Sequence, residues 1–526
     1  MTNNNNGGYL TAEAALGNKL IRRRDSFKVP VGSTALSFIN NLQQVQYKVN
    51  SFVLALAEAA KAEGLSLGKF VPSTALSKSR RAQRKAVKTE DTLAIANEFV
   101  EAPCFYIPWS FDRRGRVYPI PAVLTPQDTD FGKALITFAE GGAVTDEAQA
   151  WLAIHLATTW GNGIDKSSLT DRIDWAYSNF EYISDVAVNA LAYVRKWSAL
   201  PSSSDEVPDE PWEFVSAAEE FYHCVILGDR SETSIMVAVD ATCSGIQVLA
   251  GLAKDADAAA LVNVIPGEVP QDAYMAVANA AKAALPEELG KYLSRKMVKP
   301  IVMTVPYNAS SKTHREAIAD YIKGLAREEV KAGGEWFKLT AKEISAIAQA
   351  LADAMEIVLP GPMGIRKWIT EGMKVVMKAA PGDVTWVTPS GFKVVQVYQK
   401  VETVEFKSNI GGRHKCTFAV GSTDEVQVNK HVTATVPNFI HSLDASILQT
   451  AYSDFASPFS VIHDSVLARA ADMSDAVWAV KSAYAGIFSG DVLAKFGKAV
   501  GIESAPPVVK NSFNPEVVLD SNYFFS

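Results

Sequence analysis

Asp240 and Asp464 each end a short β-branched apolar run, and between them lies Arg295-x3-Lys299-x7-Tyr307. Read alone, each part is ordinary. A strand that ends in Asp240 and turns into Ala241-Thr242-Cys243-Ser244-Gly245-Ile246-Gln247 describes an aspartate N-cap. His463-Asp464 at a tight bend is common turn chemistry. Arg295, Lys299, Met303 and Tyr307 recur at four-residue steps, which predicts one gradually rotating helix stripe. By itself that stripe is a surface face with a buried Met and Tyr. The joint order says more. Two carboxylates delivered on rigid strands suit a pair of divalent cations, and a cationic helix face suits a phosphate chain. The order predicts phosphoryl transfer.

The elements that must position these residues follow from periodicity. Ser234–Asp240 reads as a buried strand, and Ser460–Ala468 as a strand pair bent at His463-Asp464. Leu36 to Ala60 carries Ile39, Leu42, Val45, Val49, Phe52 and Leu56 at three- and four-residue steps, which predicts one long amphipathic helix. A second helix is expected over Thr89–Val100. Pro103 to Pro121 is aromatic, proline-rich and basic, and Pro201 to Glu210 is an acidic surface loop. Ala-rich helices are expected at 271–284 and 341–357, the latter stopped by Leu359-Pro360-Gly361-Pro362. Val384 to Val436 reads as β-rich, with a hairpin turning near Ile410-Gly411-Gly412. Pro300 and Pro306 interrupt the Arg295 stripe, so a kinked or late-starting helix is expected there.

Composition bounds the class. The chain has 526 residues, 48% hydrophobic and 21% charged, which predicts several subdomains of ordinary globular type. No apolar run reaches the ~18 residues that span a bilayer, so no membrane partner is expected. The Asn-rich N-terminus lacks the basic start and apolar core of a secretory signal and reads as a tail. Cys104, Cys224, Cys243 and Cys416 are scattered, without zinc spacing, so reduced thiols in a cytoplasm are expected. Net charge is −7, yet residues 1–90 carry 14 Lys+Arg against 5 Asp+Glu, leaving 37 against 53 in the rest. The excess lies in Arg22-Arg23-Arg24 and in Lys78 to Lys88. Either run alone is a solvated helix face; beside a phosphoryl-transfer site, both read as phosphate contacts.

Further segments join the three above. They are Asp112-x-Arg114-Gly115-Arg116-Val117-Tyr118, Trp386-Val387-Thr388-Pro389-x-Gly391-Phe392, Pro437-Asn438-Phe439-Ile440-His441-Ser442-x-Asp444 and the C-terminal Tyr523-Phe524-Phe525-Ser526. In this order, from roughly Phe38 to the last residue, the chain resembles the single-subunit DNA-directed RNA polymerases of T-odd phage and mitochondrial type. These are cousins of the A-family DNA polymerases. The resemblance implies an α+β, mainly helical, right-hand polymerase fold: palm, fingers, reduced thumb and a small antiparallel palm sheet. Its division would be a basic N-terminal tail over 1–35, a helical thumb-like remnant over 36–102 and a first palm part over 103–256. Fingers would follow over 257–441, with a specificity-loop-like hairpin near 404–420, and then a second palm part and C-terminus over 442–526.

The resemblance also implies roles. Asp240, Asp464 and the Ala241 carbonyl would hold two Mg2+ ions roughly 3.5–4 Å apart. Arg295 and Lys299 would grip the β- and γ-phosphates, Lys299 could protonate the leaving group, and Tyr307 would close over sugar and base. His441 would contact the ribose 2′-hydroxyl, with Tyr274 lining the same pocket and His463 beside the primer terminus. Asp112, Arg114, Gly115 and Arg116 would contact the template. Gly245 stands where A-family DNA polymerases carry a blocking glutamate, which leaves volume for a 2′-hydroxyl; with His441 this favours RNA synthesis. The partners would be a DNA template, nascent RNA and rNTPs, in a bacterial host cell during phage infection. Only 111 residues precede Asp112, fewer than in phage-type relatives. The chain is therefore expected to extend primed or open templates readily, to melt a linear duplex promoter poorly, and to call on an accessory protein. Alternatives are an A-family-like DNA polymerase, a primase-like enzyme, or a non-catalytic nucleic-acid-binding relative.

Overall fold

The computed structural model describes residues 21, 31–75, 80–408 and 414–525. The N-terminal tail except Ile21, the Arg22-Arg23-Arg24 run, the first residues of the Lys78 run and the Ile410-Gly411-Gly412 turn lie outside the described residues. The described chain is mainly helical, and its strands form small antiparallel sheets. Its buried apolar side chains form a continuous core, with Trp109, Trp197, Trp212, Tyr47 and Tyr452 among the largest that are fully enclosed.

One sheet matters most for chemistry. Phe459–Ile462 pairs antiparallel with Ser465–Ala468, which pairs antiparallel with Val237–Val239. The register sets Val239 opposite Val466, so Asp240 and Asp464 leave the sheet at the same end. Burial explains the placement: Val237 and Val239 lie in the core, and the adjacent Val466 and Leu467, which point to opposite faces of the sheet, are both covered. The helices Met473–Ser489 and Val428–Tyr452 back this region, and the Tyr452 hydroxyl donates to the Ala476 carbonyl at 2.8 Å.

Several sequence-based expectations are corrected. Leu36–Ala60 is not one helix. Ser33–Gln44 and Ser51–Ala62 are separate helices, split by a strand at Tyr47–Val49. Tyr47 and Val49 point inward, Lys48 outward, and the strand pairs with Ile136–Phe138. Asn50 then caps the second helix by accepting from the Val53 N–H at 3.2 Å, a contact worth ~1 kcal/mol. A partner distant in sequence outweighed local helical periodicity. The β-rich stretch ends at Val426, since Val428–Tyr452 is a single helix that carries Pro437 inside it. Pro360 does not merely stop Ala341–Val358; it opens Pro360–Ala379 at the first helical position, where its missing N–H costs nothing. Among the described residues, no single helix is long and apolar enough to cross a membrane.

Candidate active site

Asp240 sits on the floor of a cleft. Ser465 Oγ donates to its Oδ1 at 2.5 Å, which ties the first strand end to the second. The carboxylate meets cleft water but is walled in by protein. That burial, and next the charge of Asp464, push its pKa up to about 6, against pulls from Ser465 and Lys299. Asp464 follows His463, which adopts a left-handed φ of 60° at the two-residue bend. A bulky residue held in that conformation is unusual and is a local cost accepted to aim the next side chain. The His463 ring packs edge-on against Tyr118 at 5.3 Å, and its Nδ1 is buried without a hydrogen-bond partner.

The cations reach the cleft from the helix Arg295–Thr304, capped by Ser294, whose Oγ accepts from Met297 N at 3.4 Å. This helix starts at Arg295 and keeps Pro300 inside. Arg295 is held by Asp272 at 2.6 Å, and its guanidinium lies 5.2 Å from the Tyr274 ring centre. Lys299 lies 5.9 Å from the same ring. Burial lowers the Lys299 pKa, helped by the neighbouring charges of Lys166 and Arg295 and opposed by Asp240. An ammonium eased toward losing its proton is suited to general acid work.

The predicted four-residue stripe fails at its last member. Tyr307 lies beyond the helix and Met303 is exposed. Pro306 brings no N–H, so the chain tightens, with Tyr307 N donating to Thr304 O at 3.1 Å. Tyr307 then stacks on His441 with ring centres 4.5 Å apart and planes 13° apart. A Cβ added to Gly245 would meet the Tyr307 hydroxyl at 2.7 Å. The volume that the sequence assigns to a sugar hydroxyl holds the tip of this tyrosine.

The Asp112 segment forms a tight turn between Trp109–Phe111 and Val117–Pro119. Asp112 accepts from the Arg114 backbone at 2.8 Å and from its guanidinium at 2.6 and 2.9 Å. Gly115 has φ 95°, and its carbonyl accepts from Gln449 at 2.8 Å, so no side chain fits there. Arg116 is 9% exposed and clasps Asp444 through Nε at 2.9 Å and Nη2 at 2.5 Å. The structure thus brings Arg116 to His441 instead of opening it to solvent. The charge of Asp464 bears on Asp240, Arg116 and Tyr307.

Asp240 and Asp464 fit hard cations. Two like charges share one end of a sheet, and burial together with the charge of Asp464 pushes the first toward protonation despite Lys299. Among the described residues no group of three or more His, Cys, Asp or Glu side chains could hold a metal. Any further ligands would be backbone, water or phosphate oxygens, as Mg2+ accepts.

With this geometry in view, the family model described as DNA-dependent RNA polymerase matches residues 143–503. The chain belongs to that family. DNA-directed RNA polymerase 3B, chloroplastic, of Nicotiana tabacum is 28% identical over 473 residues, 83% of this chain and 46% of the relative. DNA-directed RNA polymerase 1, mitochondrial, of Arabidopsis thaliana is 25% identical over 545 residues, 93% of this chain and 53% of the relative. The chain spans about half the length of the curated relatives it matches.

Within this polymerase-family chain, sequence reasoning missed three contributors, Lys166, Arg172 and Asp272. Lys166 and Arg172 line the same cleft as Asp240 and Lys299. They come from a region that offers only an ordinary Asp-Lys pair and a helix arginine, so no local signal marks them. Asp272 caps the helix Ala273–Ala283 through Tyr274 N and Met275 N while it holds Arg295. Asn308 stands at φ 57°, and its Nδ2 donates to the Thr433 carbonyl at 3.2 Å. That carbonyl lies four residues before Pro437, which has no N–H to offer it.

Proposed function

We propose that this chain is the catalytic core of a DNA-directed RNA polymerase, extending an RNA 3′ end with rNTPs on a DNA template. The observation that carries the reading is the delivery of Asp240 and Asp464 to one end of one sheet, where Asp240 lines a cleft that Arg295 and Lys299 also enter. In this reading the fold is a right hand: the three-stranded sheet is the palm floor, the Arg295–Thr304 helix belongs to the fingers, and the exposed hairpin Gln399–Ser408/His414–Val426 is the specificity-loop equivalent.

Asp240, Asp464 and the Ala241 carbonyl would hold two Mg2+ ions, which supply charge neutralisation of the triphosphate and a lowered pKa at the primer 3′-hydroxyl. The chain's own residues do the rest. Arg295, oriented by Asp272, and Lys299 bind the phosphates, and Lys299, its proton loosened by burial, gives it to the departing pyrophosphate. Tyr274 walls the cleft beneath both cations. Tyr307 leaves His441 as the nucleotide enters, and His441 reads the sugar. The bound partners are the DNA template, nascent RNA and rNTPs, and a separate promoter-recognition factor belongs to the same reading. Placement in a phage-infected bacterium rests on the motif resemblance alone; the relatives named above are plant organellar.

The test is extension of an RNA primer on a DNA template with Mg2+, run with rNTPs or dNTPs. Wild type should extend with rNTPs, and Asp464→Ala should lose at least about a thousandfold in rate, the scale of removing electrostatic support from a transition state. Intact extension by the variant sinks the assignment, and preferential use of dNTPs points to the DNA polymerase alternative.

A further inference from the structure

Asp444 is 4% exposed, and its carboxylate is fully engaged. Oδ1 accepts from Arg116 Nε at 2.9 Å; Oδ2 accepts from Arg116 Nη2 at 2.5 Å and lies 3.3 Å from His441 Nδ1. Burial alone would neutralise this acid, but the guanidinium clasped in fork geometry and the imidazole hold its pKa below the usual carboxylate value. An ionised carboxylate can only accept. The proton on the His441–Asp444 contact therefore resides on His441 Nδ1. Burial also lowers the His441 pKa, so the ring is neutral near pH 7 and its Nε2 is bare. Tyr307 lies flat against the ring before a nucleotide enters, and the Asp444 contact keeps the ring's orientation once the tyrosine has left.

We infer that Asp444, clasped by Arg116, is a positioning residue that fixes His441 as the Nδ1–H tautomer, so that Nε2 reads the incoming nucleotide by accepting a hydrogen bond from its 2′-hydroxyl. This rests on the polymerase reading above and adds a direction to the contact: the sugar donates and the protein accepts. A 2′ substituent is then selected for its proton, not for its oxygen. The buried ion pair has a use that stability does not explain, since buried pairs contribute little to stability against apolar replacements.

The experiment compares four nucleotides differing only at the 2′ position on the same primed template: hydroxyl, amino, fluoro and hydrogen. In wild type the two donors, hydroxyl and amino, should exceed fluoro and hydrogen in kcat/KM by about tenfold or more, the scale of one buried hydrogen bond. In Asp444→Asn one Arg116 nitrogen faces an amide donor, and no carboxylate charge holds the proton on His441 Nδ1. Both ring tautomers are then populated, and the hydroxyl-to-fluoro ratio should fall severalfold. This ratio is taken within one preparation, so a smaller folded fraction cannot move it. If Asp444→Asn does not fold, the imidazole 15N spectrum of the wild type decides, with His441 assigned by its loss in His441→Gln. A protonated Nδ1 and bare Nε2 support the inference. A protonated Nε2 in wild type, or an unchanged hydroxyl-to-fluoro ratio in Asp444→Asn, overturns it. Wild type that extends no primer at all sinks the polymerase reading, and this inference with it.

Discussion

At the scale of single residues, Gly245 and Tyr307 compete for one small volume. A methyl group at Gly245 would sit 2.7 Å from the Tyr307 hydroxyl, closer than unbonded atoms approach. Gly245→Ala should therefore push the tyrosine off His441, cost little stability because the site is helical, and lower kcat/KM for rNTPs by about tenfold. Primer extension paired with urea denaturation measures both; unchanged kinetics with an unchanged denaturation midpoint would mean that the tyrosine tip has no role. The sequence made Gly245 legible as an opening but not as the seat of Tyr307, because a helical glycine says only that something comes close. Arg116 shows the same limit. A basic residue in a turn motif reads as a nucleic-acid contact, and its clasp on Asp444 spans most of the chain. The meeting of Asp240, Arg295 and Lys299 in one cleft, with Asp464 at the same sheet end, was legible because residue type and order are carried by the sequence directly.

At the scale of elements, the turn after Arg295–Thr304 and the break at Pro437 support each other. Asn308 is held left-handed, and its side chain supplies the Thr433 carbonyl with the donor that Pro437 lacks. Two substitutions separate these contributions. Asn308→Gly accepts the backbone conformation and loses only the hydrogen bond, so it should cost about 0.5–1.5 kcal/mol. Asn308→Ala keeps a Cβ at φ 57° without the polar side chain that lets Asn tolerate it, and should cost about 1 kcal/mol more than Asn308→Gly. Equal urea midpoints for the two variants would show that the backbone conformation carries no cost. Neither proline could be placed from sequence beyond its role as a breaker, since what replaces the missing N–H comes from another element. The same non-local term split the expected Leu36–Ala60 helix, where Tyr47–Val49 found Ile136–Phe138 as a partner. The strand ends carrying the aspartates were legible, since their pairing agrees with their own apolar, β-branched runs.

At the scale of the whole molecule, a buried polar cluster sits away from the cleft. Asp130 accepts from the first N–H groups of the helix Pro211–Phe221, Trp212 N at 3.2 Å and Glu213 N at 2.9 Å. Lys133 bridges Glu213 and, at 3.3 Å, Glu210. His155 lies beside them, fully buried, its Nδ1 without a partner. Burial pushes His155 down to about 4 and Asp130 up to about 7. The two act in opposite senses. Folded His155 stays neutral while the unfolded ring takes a proton near 6.5, so its contribution is present above 6.5 and lost as the pH falls toward 4. The Asp130 contribution is present below its unfolded value near 3.8 and lost as the pH rises to about 7. The slopes of these two groups therefore oppose each other, and only a difference between variants isolates either one. His155→Leu removes the acid-labile part and an unsatisfied nitrogen together. Relative to wild type, it should gain about 2 kcal/mol of stability on going from pH 7 to pH 5, as measured by urea denaturation at both. Parallel changes in the two proteins would mean that His155 carries its proton in the folded state, and that the cluster holds a charge its surroundings argue against.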